Sequence, residues 1–484
     1  MLSKEQQNIL DATKTGDNIV VDAVAGTGKT TLILEIAKEL GSRKILQITY
    51  NKSLKFEVRE KTKALSIDNL TIHTYHSLAV CYYSCTAHVD NEIKKIVINK
   101  KEPNRQIPSF DMIVIDEAQD MTLLYYQLII KFIKDIGSPI QLLILGDYMQ
   151  GLYEFKGSDI RFLTLGELIW KEHPSLRTKQ FQKCTMKMSY RITNQMSKFV
   201  NNAMLGEPRM DACRDDVPVQ YIRNSRFNLE RIVCAEINKL FSQGVTPNDI
   251  FILGPSVKGE RSNIRKLENM LVEKNIPCHV PMLENTDIDQ RVIDGKIVFS
   301  TFHCVKGRQR KYVFVVGFDN SYFKYYARNL QRDICPNTLY VACTRASNGL
   351  YVLESDTRRE DRPLEFLQMS HVDMKLVDYV QFKGQQKTLF LRNEDLPSNL
   401  PIKITPTELI KFIPEDTNQH ICTILDRIFV KEQDIIENIE IPGIIQTKKG
   451  YYEEVSDLNG IAIPCMYYDH LLNAWSDNGS FKTK

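Results

Sequence analysis

Short apolar runs alternate with amphipathic stretches along most of the chain. Residues 19–21 (IVV) form one such run, and after it Leu32, Ile33, Ile36 and Leu40 recur on one helical face. Further runs at 44–49, 112–115 and 141–145 read as buried strands with helical patterns between them. The alternation restarts after about residue 180. Strands are expected at 250–253, 297–300, 312–316 and 350–353, and helices at 194–204, 229–241 and 264–272. Such alternation predicts an α/β fold with two doubly wound parallel sheets. Beyond it, 356–363 (DTRREDRP) reads as a charged linker, and Thr405-Pro406-Thr407-Glu408 as a helix start with proline at the first helical position. One or two short helices are expected over 409–429. Strands at 439–447 and 461–465 then surround an acidic turn at 453–457, making a small α+β C-terminal region.

Composition narrows the class. The chain has 484 residues, 43% hydrophobic and 25% charged, which suits two or three soluble domains. A net charge of +3 says little, because a basic groove can be offset elsewhere on the surface. No apolar run is long enough to cross a bilayer and MLSKEQQ lacks a secretory core, so we expect an intracellular, soluble protein, cytoplasmic or nuclear, without a membrane partner. Eleven cysteines show no paired spacing. Cys81, Cys85 and His88 lack a fourth zinc ligand, so reduced thiols are expected.

The candidate chemistry centres on residues 19–32, IVVDAVAGTGKTTL. A strand, a small-residue loop and Gly28-Lys29-Thr30 opening a helix make a phosphate cradle, although Ala23 stands where the usual pattern has glycine. Its backbone N–H groups and the helix N-terminus face phosphate, Lys29 can reach the β/γ-phosphates and the Thr30 hydroxyl can hold Mg²⁺. Upstream, Ser3 and Gln6 have capping-box spacing; equally, the Gln6 amide suits an adenine edge. Tyr50-Asn51-Lys52 lies at a strand's carboxyl end, where an ordinary turn is the alternative reading. Residues 71–77 carry groups that donate to phosphate or stack on bases. The buried run 112–115 ends in Asp116-Glu117, a pair able to divide metal holding from water activation. After 141–145, Gln150 is placed to sense a γ-phosphate, with Tyr153 and Phe155 either facing nucleic acid or filling core. Arg345 follows a buried run in the second half, where it can stabilise phosphoryl-transfer charge or be an ordinary solvated charge.

In this order, the segments resemble the UvrD/Rep/PcrA-type helicases of superfamily 1, over about 70% of the chain (residues 2–346). The resemblance implies RecA-like P-loop domains at 1–178, with a small insertion near 79–108, and at 179–355, followed by a linker and accessory region at 356–484. It implies ATP and Mg²⁺ at Gln6, Ala25, Gly26, Thr27, Gly28, Lys29, Thr30, Thr31, Tyr190, Gly307 and Gln309, with Thr30 and Asp116 on the metal. Lys29, Asp116, Glu117, Gln150, Arg191 and Arg345 would carry hydrolysis. Tyr50, Asn51, Lys52, His76, Tyr153, Phe155, Thr301 and His303 would contact single-stranded DNA or a tailed duplex, with movement 3′-to-5′ in repair, recombination or replication.

Three departures from that pattern stand out. Lys306-Gly307-Arg308-Gln309 replaces Lys-Gly-Leu-Glu, which loses a charge-assisted bond to ribose. The intervals 76–116 and 254–296 are too short for full accessory domains. A pared-down motor is expected. A translocase that remodels protein–DNA complexes with little unwinding, or a non-enzymatic ATP-switched scaffold, are the alternatives. The C-terminal region suits a structural or protein-partner role better than a nuclease, since little chain remains to supply further ligands.

Overall fold

The computed structural model describes residues 2–171, 173–224, 229–257, 263–281, 290–355, 364–384, 388–390, 453–454 and 463–464. Two compact units divide it, at 1–382 and 383–484. Within the first, β1 (Asn18–Ala23), β2 (Ile45–Thr49), β3 (Leu70–Thr74), β4 (Met112–Asp116), β5 (Gln141–Gly146) and β6 (Phe181–Met186) form a six-stranded sheet in the order β3-β2-β4-β5-β1-β6. Every pairing in it is parallel. Strands of a parallel sheet are covered on both faces, which is why they read as unbroken apolar runs. Alternate residues serve separate cores. Ile19, Val21, Met112 and Val114 pack with Ile9, Leu10, Leu32 and Ile36 from the helices α1 (Lys4–Thr15) and α2 (Lys29–Glu39). Val20, Ile113, Ile115 and Ile144 face the opposite way, toward α4 (Tyr75–Tyr82), α5 (Asp90–Ile98) and α6 (Leu123–Ile136), with α3 (Lys52–Ala64) intervening in the chain.

The expected border at 178 falls ahead of β6, which hydrogen-bonds along the whole of β1. FQKCTM escaped notice because this edge strand is only partly buried and carries polar residues. The chain then crosses over through β7 (Met188–Ser189), which pairs with β8 (Asp211–Ala212). A second sheet follows, built from β9 (Val219–Asn224), β10 (Ile250–Gly254), β11 (Cys278–His279), β12 (Ile297–Thr301), β13 (Arg310–Val316), β14 (Ala346–Ser355) and β15 (Val380–Lys383), in the order β11-β12-β10-β13-β14-β9-β15. Between β10 and β12 lie β11 and the helix Asn263–Glu273, which matches the helix expected at 264–272.

The helix expected over 194–204 is regular only over Asn194–Lys198, and Phe199–Leu205 widens into a π-helix. In the second unit, Thr388–Phe390 pairs antiparallel with Glu453–Glu454 and Ile463–Pro464. Glu453 and Glu454 are thus strand residues rather than part of an acidic turn, because their backbone groups are committed to the ladder. The linker at 356–363, the helices expected at 405–429 and the strand at 439–447 lie outside the described residues.

Candidate nucleotide cleft and strand track

Each candidate phosphate or strand residue of the first half sits at or just past a strand's carboxyl end, where open parallel sheets bind ligands. The loop after β1 turns through Gly26 and Gly28, at φ +82° and +80°, conformations that L side chains rarely adopt. A Cβ on Gly26 would lie 2.5 Å from the Arg191 Cβ, so the second half touches the loop directly. Tyr190 N donates to Gly26 O (2.9 Å), and Ser189 Oγ donates to Ala25 O (2.7 Å). Thr27 is buried, its hydroxyl donating to Val24 O, while Thr30 is half-buried and Thr31 exposed in the first turn of α2. Lys29 Nζ donates to Ala23 O at 3.2 Å, spanning its own loop.

Gln6 forms the capping box, accepting from Ser3 N, and its amide nitrogen also donates to Thr27 O (2.9 Å). The second of these bonds ties α1 to the phosphate loop. Tyr190 is 48% exposed beside the same loop, leaving its ring open to stack. Gly307 approaches Asn51 across the seam, and Gln309 is exposed beyond it.

The two carboxylates at the end of β4 differ in state. Burial, then the neighbouring Glu117 charge, push Asp116 up to about 7, against Lys29 and a bond from Gln47 Nε2 (3.0 Å). Burial also opposes ionisation of Glu117, but Lys29, Lys306, Gln119 and Arg345 outweigh it and hold Glu117 below the usual carboxylate range. The raised carboxyl, Asp116, is the one that a divalent metal would ionise, while Glu117 stays charged without it. Glu117 itself adopts the left-handed conformation (φ 56°), a strain of the kind found at functional sites. Among the described residues, no cluster of three or more His, Cys, Asp or Glu could hold a metal, the Cys81, Cys85 and His88 neighbourhood included.

From the second half, Arg191 and Arg345 converge on this point. Arg345 is fully buried; burial and the Arg191 charge lower it to about 9, and Glu117 opposes the shift. Arg191 is likewise lowered by burial, with Glu117 opposing, and its buried Nε has no hydrogen-bond partner among the described residues. Two adjacent guanidinium groups, one of them with an unsatisfied Nε, fit a triphosphate. Arg345 Nη2 donates to Gln150 Oε1 (3.1 Å), and Arg191 Nη1 reaches Thr344 O (3.4 Å).

An aromatic line crosses the same seam. Tyr50 stacks on Tyr153 (centroids 5.4 Å apart, planes at 21°), Tyr153 meets Phe155 edge-on (6.2 Å), and Phe155 meets His303 (6.1 Å). Lys156 lies over both Tyr153 and Phe155, and Lys306 over Tyr153. Phe155 is 69% exposed. Lys52 is exposed, Asn51 half-buried, and Thr301 buried, its hydroxyl accepting from Cys304 N. His76 stands off the line. It pairs with Asp90 (3.0 Å) and meets Tyr125, which in turn meets Tyr50.

Sequence reading missed the residues that lock the two halves together. Lys306 Nζ donates to both Asp120 carboxylate oxygens (2.7 and 2.6 Å), and Asn337 Nδ2 donates to Tyr148 O and Gly151 O. Arg209 bridges Asp22 and Asp147, and Tyr340 Oη donates to Asp147 (3.1 Å). Lys306 stands in a motif singled out above, but nothing in the sequence near Arg209 marks it.

Residues 6–156 match the AAA domain family. UvrD1 of Mycobacterium tuberculosis, named an ATP-dependent DNA helicase, is 27% identical over 183 residues, covering 35% of this chain and 22% of its own. Protein R568 of Acanthamoeba polyphaga mimivirus, named as an ATP-dependent DNA helicase, is 22% identical over 388 residues, covering 72% of this chain and 53% of its own. The arterivirus nonstructural protein 10 helicase in complex with DNA superposes over 74% of this chain and 64% of its own, at 10% identity and a TM-score of 0.37. The chain therefore spans between about a fifth and a half of the length of these two curated relatives. Fold and site define an α/β protein of two parallel-sheet halves, the first of which carries the P-loop. Within that class, the chain is similar to the two proteins named as DNA helicases above.

Proposed function

We propose that the chain hydrolyses ATP and uses the cycle to move along single-stranded DNA in the 3′-to-5′ direction, in repair, recombination or replication. The observation that carries this reading is the convergence of Lys29 and Glu117 with Arg191 and Arg345 at a seam that the aromatic line also crosses. The nucleotide would lie against Ala25 to Thr31, with Gln6 and Tyr190 at the base and Gly307 and Gln309 at the sugar. Thr30 and Asp116 would hold Mg²⁺, which when bound neutralises charge on the phosphates. Glu117 takes the proton of the attacking water, Gln150 orients the γ-phosphate, and Arg191 and Arg345 stabilise the charge that develops on it. The first sheet with its helices, through β6, and the second sheet with its helices act as the two moving bodies, with the crossover as their pivot. Bases stack along Tyr50, Tyr153, Phe155 and His303, while Asn51, Lys52, His76 and Thr301 contact the backbone.

The short stretch between β10 and β12 favours a second reading, a translocase that displaces bound proteins better than it separates duplexes. ATPase rates against single-stranded DNA, single-stranded RNA and duplexes with a 3′ or 5′ tail test the proposal. Stimulation by single-stranded DNA above the other ligands is expected. Equal rates with and without nucleic acid would sink it and favour an ATP-switched scaffold, for which the C-terminal region would be the protein-docking part.

A further inference from the structure

Arg209 lies outside every motif above, yet it is among the most tightly held side chains at the seam. It is 7% exposed. Its Nη2 donates to Asp22 Oδ1 (2.7 Å) and Asp147 Oδ1 (2.9 Å), its Nη1 donates to Asp22 Oδ2, and its guanidinium lies 4.2 Å from the centre of the Tyr148 ring. Asp22 is on the strand that runs into the phosphate loop, and Asp147 follows the strand that leads to Gln150. One guanidinium thus bridges the ends of two of the six strands of the first sheet, β1 and β5.

The Arg209 backbone is fixed just as firmly. Asn201, presented by the π-helix, accepts from Arg209 N and Met210 N (both 3.1 Å) and donates to Met210 O (2.7 Å). Met210 leads into β8, which pairs with β7 at the crossover. Arg209 is therefore anchored at the pivot, where a contact can persist while the far sides of the halves move apart. π-turns recur at functional sites, and this one supplies the side chain that aims Arg209.

Asp147 passes the constraint on. Its Oδ2 accepts from Gln150 Nε2 (2.8 Å) and Tyr340 Oη (3.1 Å). With the Gln150 amide nitrogen so committed, its carbonyl oxygen faces Arg345 Nη2 (3.1 Å). We propose that Arg209 is a positioning residue for ATP hydrolysis: from the crossover it fixes the Asp147 carboxylate, and through it the Gln150 amide that Arg345 contacts. The proposal rests on the ATPase reading above.

The test is steady-state ATP hydrolysis by the full chain with saturating single-stranded oligodeoxythymidylate, for Arg209→Lys in the parent and in Gln150→Ala. A lysine supplies a point charge to one carboxylate but not the planar fork that joins two. The expected result is a kcat about tenfold lower with KM for ATP within about twofold, and a loss under about twofold once Gln150 is already alanine. Tyr340→Phe removes the other outside donor to Asp147 and is expected to cost about threefold in kcat, again only when Gln150 is present. It carries the test alone should Arg209→Lys not fold. Equal losses in both backgrounds, an unchanged kcat, or a joint fall in kcat, ATP affinity and melting temperature would each overturn the proposal. An inactive parent overturns the ATPase reading and this proposal together; an active parent with unaffected variants overturns the proposal alone.

Discussion

Arg345, from the second half, donates through Nη2 to Gln150 Oε1 of the first half at 3.1 Å, and burial of the arginine is complete. A charge held in a dry seam by a neutral amide is available to an incoming anion, and its cost of desolvation is already met by folding. Replacing Arg345 with alanine is expected to lower DNA-stimulated kcat by about 10²–10³-fold while changing KM for ATP little. Steady-state hydrolysis checks it; a fall in KM-dependent rate alone would assign Arg345 to binding.

Glu117 is held by Gln119 and by surrounding cations in its ionised form, in a strained backbone conformation that aims it into the cleft. Glu117→Gln keeps shape and removes the base. It is expected to bind ATP as the parent does, with turnover reduced by at least about 10²-fold. Fluorescent-nucleotide titration and single-turnover hydrolysis measure the two parts separately. Hydrolysis at the parental rate would remove Glu117 from the mechanism.

Much of this site was legible before the structure because its chemistry is local. The phosphate loop, Asp116-Glu117 and Gln150 each directly follow an apolar run, so the run predicts the strand and the strand places the residue. Edge strands were not legible: β6 and β15 lack the unbroken apolar pattern, since one of their faces meets no covering layer. Arg209 was invisible for another reason. Its partners, Asp22 and Asp147, are distant in sequence, and no periodicity encodes a contact made only when two halves fold together. Gln6 shows the reverse: both the cap and the phosphate-loop contact exist, served by opposite ends of one amide.

Phe155 is exposed and makes edge contacts to Tyr153 and His303, so little folding energy depends on it. Phe155→Ala is expected to weaken single-stranded DNA binding by about 1–3 kcal/mol with an unchanged melting temperature. Fluorescence anisotropy at fixed salt tests this. A parental affinity would take Phe155 off the strand track.

His73, at the base of the segment that carries His76, is buried, and burial, aided by the Lys55 and Arg59 charges, lowers it to about 4. Between pH 6.5 and 4 the unfolded chain binds a proton that the folded chain does not. Stability is then fully present above pH 6.5 and falls on acidification, by up to about 3 kcal/mol from this group. His73→Asn is expected to flatten the acid limb of a denaturation series over that window. An equally steep limb would place the sensitivity elsewhere.

The central claim is that nucleotide at the seam and strand on the aromatic line are felt by one another. The most direct measurement is the affinity for single-stranded DNA with and without a non-hydrolysable ATP analogue, in the parent and in Arg345→Ala. The account predicts a change of about tenfold or more in the parent, mirrored in nucleotide affinity when DNA is added, and its disappearance in the variant. An affinity indifferent to nucleotide in the parent would contradict it.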